Sequence, residues 1–360
     1  MIGDPGGGFV SPTFDQVIRI GRPVTPENGG ERKPVRIEEV ARIAGVSPIT
    51  VSRALHQPGR VSEEKRLKVQ QAVEVTGYAS NPHARALRSG RSNIVAAFVS
   101  NIVSQQFGLA VQGCAEVLEP RGFQLMIGQT SYSYARETSM IQSLLALRPA
   151  AVLFTGVVEL EENRSFLREL GVPVIETWAF PPDPIDMLVG FSNTDGGRMV
   201  AQHFAAQGYR RVAFIGRSGG RGLLRLAGFR DGVRSAGLKL VAELSLDTVS
   251  GLSDGQRALN QLLDSHEKID AVFCANDLIA MGALLEASRR GLNMPGDIAI
   301  AGFGDSDLAA EIPPGLTTIR MDCRQIGRRA GEMLLARLNG ETDGSSSETV
   351  ALELVKRGST

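Results

Sequence analysis

Apolar residues near the start of the chain recur every three or four positions, a spacing typical of helices that pack on one face. The first run consists of Val35, Ile37, Val40, Ala41 and Ala44, and Gly45 ends it. Ser47 then offers a side-chain oxygen as the N-cap of a second helix through Leu55. After a break at Pro58, a third helix is predicted to begin at Ser62.

The domain boundaries follow from this pattern. Residues 1–30 hold 7 Gly and 4 Pro without a sustained period, so a disordered tail is predicted over 1–33. The helices predict a small all-α domain over 34–80. A short segment, 81–92, leads from this domain into a core over 93–360.

From Asn93 onward, apolar runs of strand length alternate with helical segments. The predicted strands are Ile94–Val99, Gln124–Ile127, Ala151–Thr155, Val172–Ile175, Val212–Ile215, Ala271–Cys274 and Ile298–Gly302. Such alternation is typical of parallel sheets covered by helices on both faces. The pattern restarts after a Pro-rich stretch at 181–184. It therefore predicts an α/β core of two doubly wound parallel-sheet lobes, with a boundary near 190. Chain crossovers between the lobes are expected near 320.

Charge separates the two parts of the chain, although the net charge is zero. Residues 31–92 carry 12 Lys and Arg against 6 Asp and Glu, whereas residues 93–360 carry 25 against 30. A basic head on an acidic body indicates that the head binds a polyanion. Two helices joined by a tight turn in this basic segment predict a helix-turn-helix, although such a pair is also a common packing motif.

The residues themselves decide between these interpretations. The run from Val35 through Ser47, followed by Thr50-Val51-Ser52-Arg53-Ala54-Leu55 and Val61-Ser62, resembles the DNA-binding head of the LacI/GalR family of transcriptional regulators. The resemblance extends over about 34–360, and the core accordingly resembles periplasmic sugar-binding proteins. It implies that the second helix enters the major groove of operator DNA.

Seven residues of the head are candidate DNA contacts. One of them is Pro48, the first residue of the second helix, and the other six follow here. Arg53 suits a guanine edge or a phosphate, Ser47 and Thr50 suit phosphate oxygens, and Ile49 offers apolar contact to a thymine methyl. His56 and Arg60 follow them, and for His56 a solvated helix end is an equal alternative.

Residues 81–89 resemble the hinge helix of the family, which enters the minor groove at the operator centre. Leu87 matches the leucine that wedges open the central base step. Ala84 matches a small residue that allows close approach, and Arg88 matches a basic neighbour. Asn81 is a further candidate contact at the start of this segment.

The resemblance also implies an effector site at the carboxyl ends of the strands, where ligands bind in such sheets. The candidate residues are Gln106, Phe107, Trp178, Arg225, Asn276, Asp277 and Asp305. Phe107 and Trp178 would form apolar walls, and Arg225 would gather ligand hydroxyls or a carboxylate. The alternatives are core packing for Trp178 and a plain N-cap for Asp277.

The segment Glu176-Thr177-Trp178 with Asp186–Phe191 resembles the gluconate-repressor branch, although other sugars and sugar acids remain open. Enzyme signatures are absent from the sequence: residues 216–220 fit neither the dinucleotide nor the P-loop spacing. The histidines are far apart in the sequence and form no metal-binding motif. The three cysteines are also widely spaced, and we expect them to be small buried apolar residues. We expect no catalytic residue, metal or cofactor. The alternative is a sugar-binding module or α/β enzyme without regulatory DNA binding.

The resulting functional prediction is a ligand-responsive, sequence-specific repressor of sugar or sugar-acid catabolism genes that its effector releases from the operator. The expected partners are double-stranded operator DNA, a small-molecule effector and a second copy of the chain in a homodimer. No export signal and no membrane-length apolar run is present, which favours the cytoplasm.

Overall fold

The computed structural model describes residues 35–56, 58–78, 92–265, 268–341 and 346–360, and it divides the chain into two compact units between residues 81 and 82. Of the predicted segments, the tail over 1–33 and nearly all of the hinge lie outside the described residues. Each unit has its own apolar core. The two units are therefore described one after the other.

The first unit is a bundle of three helices, namely α1 (Ile37–Ala44), α2 (Pro48–His56) and α3 (Glu63–Thr76). Its core consists of Val40, Ala41, Ala44, Val51, Ala54, Val69 and Ala72. Gly45 ends α1 with φ 68°, a left-handed conformation that glycine adopts without strain. Ser62 stands at the N-cap of α3 without a capping side-chain hydrogen bond, so acidic residues paired at Glu63–Arg66 and Glu64–Lys68 stabilise the first turn instead.

The second unit contains two six-stranded sheets. The first has the strand order β11-β5-β4-β3-β1-β2 and the second has the order β12-β10-β9-β8-β6-β7. The strands are β1 (Ile94–Val99), β2 (Gln124–Gln129), β3 (Ala151–Phe154), β4 (Val174–Thr177), β5 (Met187–Gly190), β6 (Arg211–Arg217), β7 (Lys239–Leu246), β8 (Ala271–Cys274), β9 (Ala299–Phe303), β10 (Thr317–Arg320), β11 (Ser347–Thr349) and β12 (Glu353–Val355). Only the β10–β12 pairing is antiparallel among the described strands.

Helices cover both sheets, and each sheet with its helices forms one lobe. The first lobe carries α4 (Gln105–Leu118), α5 (Tyr134–Leu147), α6 (Glu161–Glu169) and α12 (Cys323–Leu338). The second lobe carries α7 (Asn193–Ala206), α8 (Arg221–Ser235), α9 (Leu252–Ser265), α10 (Asp277–Arg289) and α11 (Asp307–Glu311). The predicted fold class, two doubly wound parallel-sheet lobes behind a small helical domain, is confirmed.

The chain passes between the lobes at three places. It leaves the first sheet after β5, returns after β10 to form α12, and crosses again between β11 and β12. The sequence prediction omitted β5, β7, α9 and the helices and strands after β9, although it expected chain crossovers near 320. None of the described helices has the length and apolar composition of a membrane span.

Helices α7 and α8 cross at very short distance because glycines face each other at the crossing. A Cβ on Gly228 would lie 1.8 Å from the carbonyl oxygen of Thr194, and one on Gly197 would lie 2.0 Å from the carbonyl oxygen of Arg225. Backbone atoms cannot yield as a flexible side chain can. The close crossing of the two helices therefore requires glycine at both positions.

We expect Gly228→Ala to destabilise the core by about 1–3 kcal/mol, because the added methyl group forces the two helices apart. Gly108→Ala is the matched control, since Gly108 also lies in a helix but has open space at its Cβ position. Alanine there should be neutral or stabilise by about 1 kcal/mol. Thermal unfolding followed by circular dichroism measures both, and equal melting temperatures would contradict the close crossing.

Candidate DNA-binding surface and effector cleft

The start of α2 presents an exposed surface. Ser47, Pro48 and Ile49 are exposed, and 61% of Ile49 is accessible although it is a large apolar residue. The Oγ of Ser47 accepts a hydrogen bond from the backbone N of Thr50 at 3.2 Å and lies 2.9 Å from Thr50 Oγ1. Ser47 is therefore the N-cap that the sequence predicts, and the two candidate hydroxyls lie side by side.

One turn further along α2, Arg53 extends from the exposed face. Its neighbours Val51 and Ala54 point into the core, so the helix turns Arg53 outward. Within the described part of the chain, Arg53 forms no ion pair. Arg60, in the short 3-10 turn Pro58–Arg60, is exposed as well. Neither guanidinium group forms an ion pair with a carboxylate of the described residues.

Some predicted DNA contacts fall outside what the structure describes. His56 is the last residue of α2, but its side chain is not described. The hinge candidates Asn81, Ala84, Leu87 and Arg88 lie outside the described residues altogether. These positions stay predictions.

The predicted effector residues gather at the carboxyl ends of the strands in both lobes. On the side of the first lobe, the rings of Phe107 and Trp178 meet edge to face with centroids 5.0 Å apart. Only 2% of Trp178 is exposed, and its backbone takes a positive φ of 71° directly after β4. The packing interpretation of Trp178 therefore describes this structure.

Arg225 lies in α8, and 8% of its surface is exposed. Its Nε donates to Oδ1 of Asn193 at 2.9 Å, and its Nη1 donates to the carbonyl oxygen of Ala275 at 2.5 Å. Its guanidinium carbon stands 3.5 Å above the ring of Phe303. Burial, reinforced by the nearby charge of Arg221, lowers the pKa of Arg225 to about 9.

Asn193 joins this arginine to the opposite wall. While its oxygen accepts from Arg225, its Nδ2 donates to the carbonyl oxygen of Trp178 at 2.8 Å. One side-chain amide thus connects α8 of the second lobe to the end of β4 in the first. The sequence analysis did not identify Asn193 as a site residue. The only indication in the sequence was its position shortly after strand β5, at the start of α7.

The sequence analysis gave Asn276 and Asp277 two roles, effector binding and capping of the next helix, and in the structure only Asn276 caps the helix. Oδ1 of Asn276 accepts from the backbone N of Ile279 at 2.9 Å, so Asn276 is the N-cap of α10. Asp277, the first residue of the helix, accepts from Oγ1 of Thr318 at 2.6 Å and from the backbone N of Ser306 at 2.7 Å. Burial raises the pKa of Asp277. The plain N-cap interpretation of Asp277 is therefore wrong.

Asp305 follows β9 in a left-handed conformation, φ 50°, and its carboxylate is occupied by two arginines. Arg320 Nε donates to one oxygen at 2.5 Å and Arg357 donates to the other at 2.6 Å. The carboxylate thus holds the C-terminal segment to β9 and β10, and we leave Asp305 out of the proposed effector site.

Gln105 and Gln106 link the lobes at the rim. Oε1 of Gln105 accepts from the backbone N of Asp307 at 3.0 Å. Nε2 of Gln106 lies so close to Gly304 that a Cβ there would stand 1.7 Å from it. The predicted residue Gln106 therefore contacts the opposite lobe directly after β9.

Two further arginines at the strand ends escaped sequence analysis. Arg221 donates to the carbonyl oxygen of Thr155 at 3.2 Å and stands 5.3 Å from the centroid of Phe107. Arg217, at the end of β6, stands 4.3 Å above the ring of Tyr132. The signal was available, since Arg217, Arg221 and Arg225 follow one strand at intervals of four residues. The described residues contain no cluster of His, Cys, Asp or Glu able to hold a metal.

Comparisons with known proteins agree with both units. Residues 36–81 match the family of bacterial regulatory proteins of the lacI type, and residues 201–360 match a periplasmic binding protein-like domain. The HTH-type transcriptional regulator GntR of Pseudomonas aeruginosa is 39% identical over 326 residues, 90% of this chain and 95% of the relative.

Solved structures give the same result. A LacI family transcriptional regulator from Silicibacter pomeroyi has a TM-score of 0.83 and 31% identity, covering 91% of this chain and 99% of its own. The lac repressor dimer bound to operator and the anti-inducer ONPF has a TM-score of 0.78 and 26% identity, covering 91% of this chain and 99% of its own.

A helix-turn-helix unit and two lobes of this kind define a regulator that binds DNA with the first and a small molecule with the second. The identity to the Pseudomonas regulator over nearly the whole length then decides the family. The chain belongs to the LacI family of bacterial regulatory proteins. It is a DNA-binding transcription regulator, and the enzyme alternative is not supported.

Proposed function

We propose that this regulator represses genes of sugar-acid breakdown, and that a sugar acid bound between the lobes releases it from its operator. The observation that carries the proposal is Arg225. Its buried guanidinium bonds only to neutral oxygens of Asn193 and Ala275, and no carboxylate of the described residues pairs with it. A buried cation without an opposite charge is costly, and a ligand carboxylate supplies that charge.

The planar guanidinium group of arginine binds a carboxylate better than it binds a neutral hydroxyl. A sugar acid therefore has an advantage over a neutral sugar at this position. The apolar walls formed by Phe107, Trp178 and Phe303 complement the carbon skeleton of such a ligand. Resemblance to the gluconate-repressor branch supports the same ligand class.

Release of DNA follows from the way the lobes are connected. A ligand held by Arg225 of the second lobe and packed on Phe107 and Trp178 of the first contacts both lobes at once, so its binding changes their relative position. The first lobe begins with β1 at Ile94, directly after the proposed hinge segment 81–92. Short helices are marginal alone, so a small shift of their anchors is enough to melt them.

DNA recognition is assigned to the exposed face of α2. Pro48 and Ile49 face outward beside the paired hydroxyls of Ser47 and Thr50, with Arg53 on the next turn. We assign base contacts to Ile49 and Arg53, and phosphate contacts to Ser47, Thr50 and Arg60.

A homodimer is proposed because one such head reads only a few base pairs. The first lobe supports it with an apolar surface at the edge strand β2, formed by Ile102, Val103, Met126 and Ile127. Val103 is 78% exposed, and Ile102 N donates to Gln129 Oε1 of β2 at 3.4 Å, which holds the loop against the strand. An exposed apolar surface of this kind is typical of subunit interfaces.

We expect Arg53→Ala to remove about 1–3 kcal/mol of discrimination between operator and random DNA, since a bidentate base contact is lost. Operators selected from genomic fragments, compared with random DNA by fluorescence anisotropy, give the measurement. Lys68→Ala removes the same charge from α3 and should leave discrimination unchanged. Equal losses on both DNAs would make Arg53 a phosphate contact.

We expect Arg225→Ala to bind operator as the parent does but to lose its response to gluconate and related sugar acids. Linkage requires that the operator weaken sugar-acid binding by the factor by which the acid weakens operator binding, typically about 5–150-fold. Arg230→Ala, on the exposed face of the same helix, should respond like the parent. A response to a neutral sugar or a purine alone would exclude the sugar acid.

We expect the double change Met126→Asp and Ile127→Asp to convert the dimer to a monomer, because two charges would be buried at the interface. Sedimentation velocity measures the mass, and weaker binding to a symmetric operator should accompany the change. Leu145→Asp tests an equally exposed leucine on α5 and should stay dimeric. A parent that sediments as a monomer while bound tightly to one half-site would disprove the dimer.

A further inference from the structure

The chain enters the core between two arginines. Ser92, the first described residue of the core, donates from its Oγ to the carbonyl oxygen of Arg148 at 2.7 Å. The next residue, Asn93, donates from its Nδ2 to the carbonyl oxygen of Gly122 at 2.9 Å. Arg148 directly follows α5, and Arg121 precedes Gly122 in a 3-10 turn. One arginine thus stands before each neighbour of β1 in the sheet, and we call Arg121 and Arg148 the entry arginines.

An arginine lies at or shortly after the end of each described helix of the first lobe, where the helix dipole favours a positive charge. At the end of α6, Arg168 pairs with Glu161 and Asp183. At the end of α12, Arg337 pairs with Asp186. The entry arginines are exposed, and their side chains form no hydrogen bond or ion pair within the described residues. The helix dipole does not explain why the two arginines beside β1 lack a carboxylate.

Arg148 also stands at a backbone position that favours glycine. Its φ is 46°, a left-handed conformation in which helices usually end on glycine because a side chain strains it. Helices α1 and α3 follow this rule with Gly45 and Gly77. An arginine at such a position lowers stability, so we expect its side chain to make a contact that the described residues do not supply.

The length of the connecting chain places the entry arginines near DNA. Leu87 is the proposed wedge in the minor groove, and Ser92 follows it by five residues. A fully extended chain spans about 3.5 Å per residue, so Ser92 lies within about 18 Å of the wedge. The hydrogen bonds of Ser92 and Asn93 hold the entry arginines at this end of the lobe. Both guanidinium groups are therefore near the operator whenever the hinge is bound.

We propose that Arg121 and Arg148 bind phosphates of the operator beside its centre, so that the core is itself a DNA-binding surface. The inference rests on the proposed hinge at 81–92 and does not depend on the effector. Residues 93–360 carry 25 Lys and Arg against 30 Asp and Glu, so the core as a whole repels DNA. Two unpaired arginines at the entry reverse this locally, and phosphate contacts hold a protein in register without reading sequence.

The salt dependence of operator binding tests this surface. We expect R121Q and R148G, in the full chain without effector, each to bind operator about 5- to 10-fold more weakly than the parent. Each should also lower the slope of log K against log salt by about 1 per protomer, because one phosphate contact is lost. Fluorescence anisotropy at several salt concentrations gives both quantities.

R136Q is the matched control. Arg136 is exposed in the first turn of α5, and Arg148 follows the last turn of the same helix. The two positions are about 18 Å apart along the helix axis. R136Q removes the same charge from the other end of the helix and should keep the parental slope. An equal change of slope in R136Q would reduce the effect to net charge and overturn the two contacts.

R148G separates a DNA contact from a structural role. Glycine adopts the left-handed conformation without strain and keeps the carbonyl oxygen that accepts from Ser92. R148G should therefore unfold at a temperature at least as high as the parent while it binds operator more weakly. A lower melting temperature together with weaker binding would assign Arg148 to the stability of the core and overturn its contact with phosphate.

Directed cleavage locates the surface on DNA. The three cysteines, Cys114, Cys274 and Cys323, are buried, so an iron–EDTA reagent attached to R121C labels one exposed position. We expect strand cleavage beside the operator centre from R121C and none from R136C. Absence of cleavage from labelled R121C that still binds operator would place the core away from DNA and overturn the inference.

Leu87→Ala, measured beside these variants, distinguishes failure of this inference from failure of the proposed function. Parental affinity and slope in both R121Q and R148G, with weaker binding by Leu87→Ala, would overturn the core surface and leave the proposed hinge intact. Parental binding by Leu87→Ala as well would overturn the hinge on which both depend. None of these measurements involves the effector, so the sugar-acid proposal stands or falls separately.

Discussion

The geometry of the cleft depends on the burial of one guanidinium group. Arg225 is removed from water and forms no ion pair within the described residues, so hydrogen bonds from its Nε and Nη1 and the ring beneath its face replace the lost contacts with water. Asn193, Ala275 and Phe303 provide these contacts from α7, the end of β8 and the end of β9. Their positions are thereby fixed relative to one another, and Asn193 extends the constraint to the first lobe through the carbonyl of Trp178.

That arrangement is possible only because α7 and α8 cross with their backbones nearly in contact. Gly197 and Gly228 remove the side chains that would separate the helices, and the crossing brings the first turn of α7 against the second turn of α8. Asn193 and Arg225 lie in those two turns, within hydrogen-bond distance. Close helix packing thus determines a polar contact in the cleft, since a wider crossing would leave the short asparagine side chain unable to reach.

Sequence alone predicted the parts of this fold that local patterns encode. Val35–Ala44 reads as one helical face, and strands such as Ile94–Val99 are continuous apolar runs. The chain between 236 and 271 was not assigned because edge strand β7 is only partly buried and lacks such a run. The segments after β9 cross between lobes, which no local period records. The sequence therefore could not show that Arg320 and Arg357, which come from those segments, pair with Asp305.

The same limit explains which cleft residues the sequence identified. Positions at strand ends, such as Trp178 and Asp277, are predictable because parallel strands bring their carboxyl ends to one edge. Whether such a side chain faces a ligand or the protein depends on donors elsewhere in the chain, and Thr318 occupies Asp277 from a distant strand. Arg221 and Arg225 differ in this respect, because neither forms an ion pair with a carboxylate of the described core, although Glu159 and Asp277 lie near them. Their guanidinium groups contact carbonyl and amide oxygens and aromatic rings instead, and these contacts join the two lobes where the strands end.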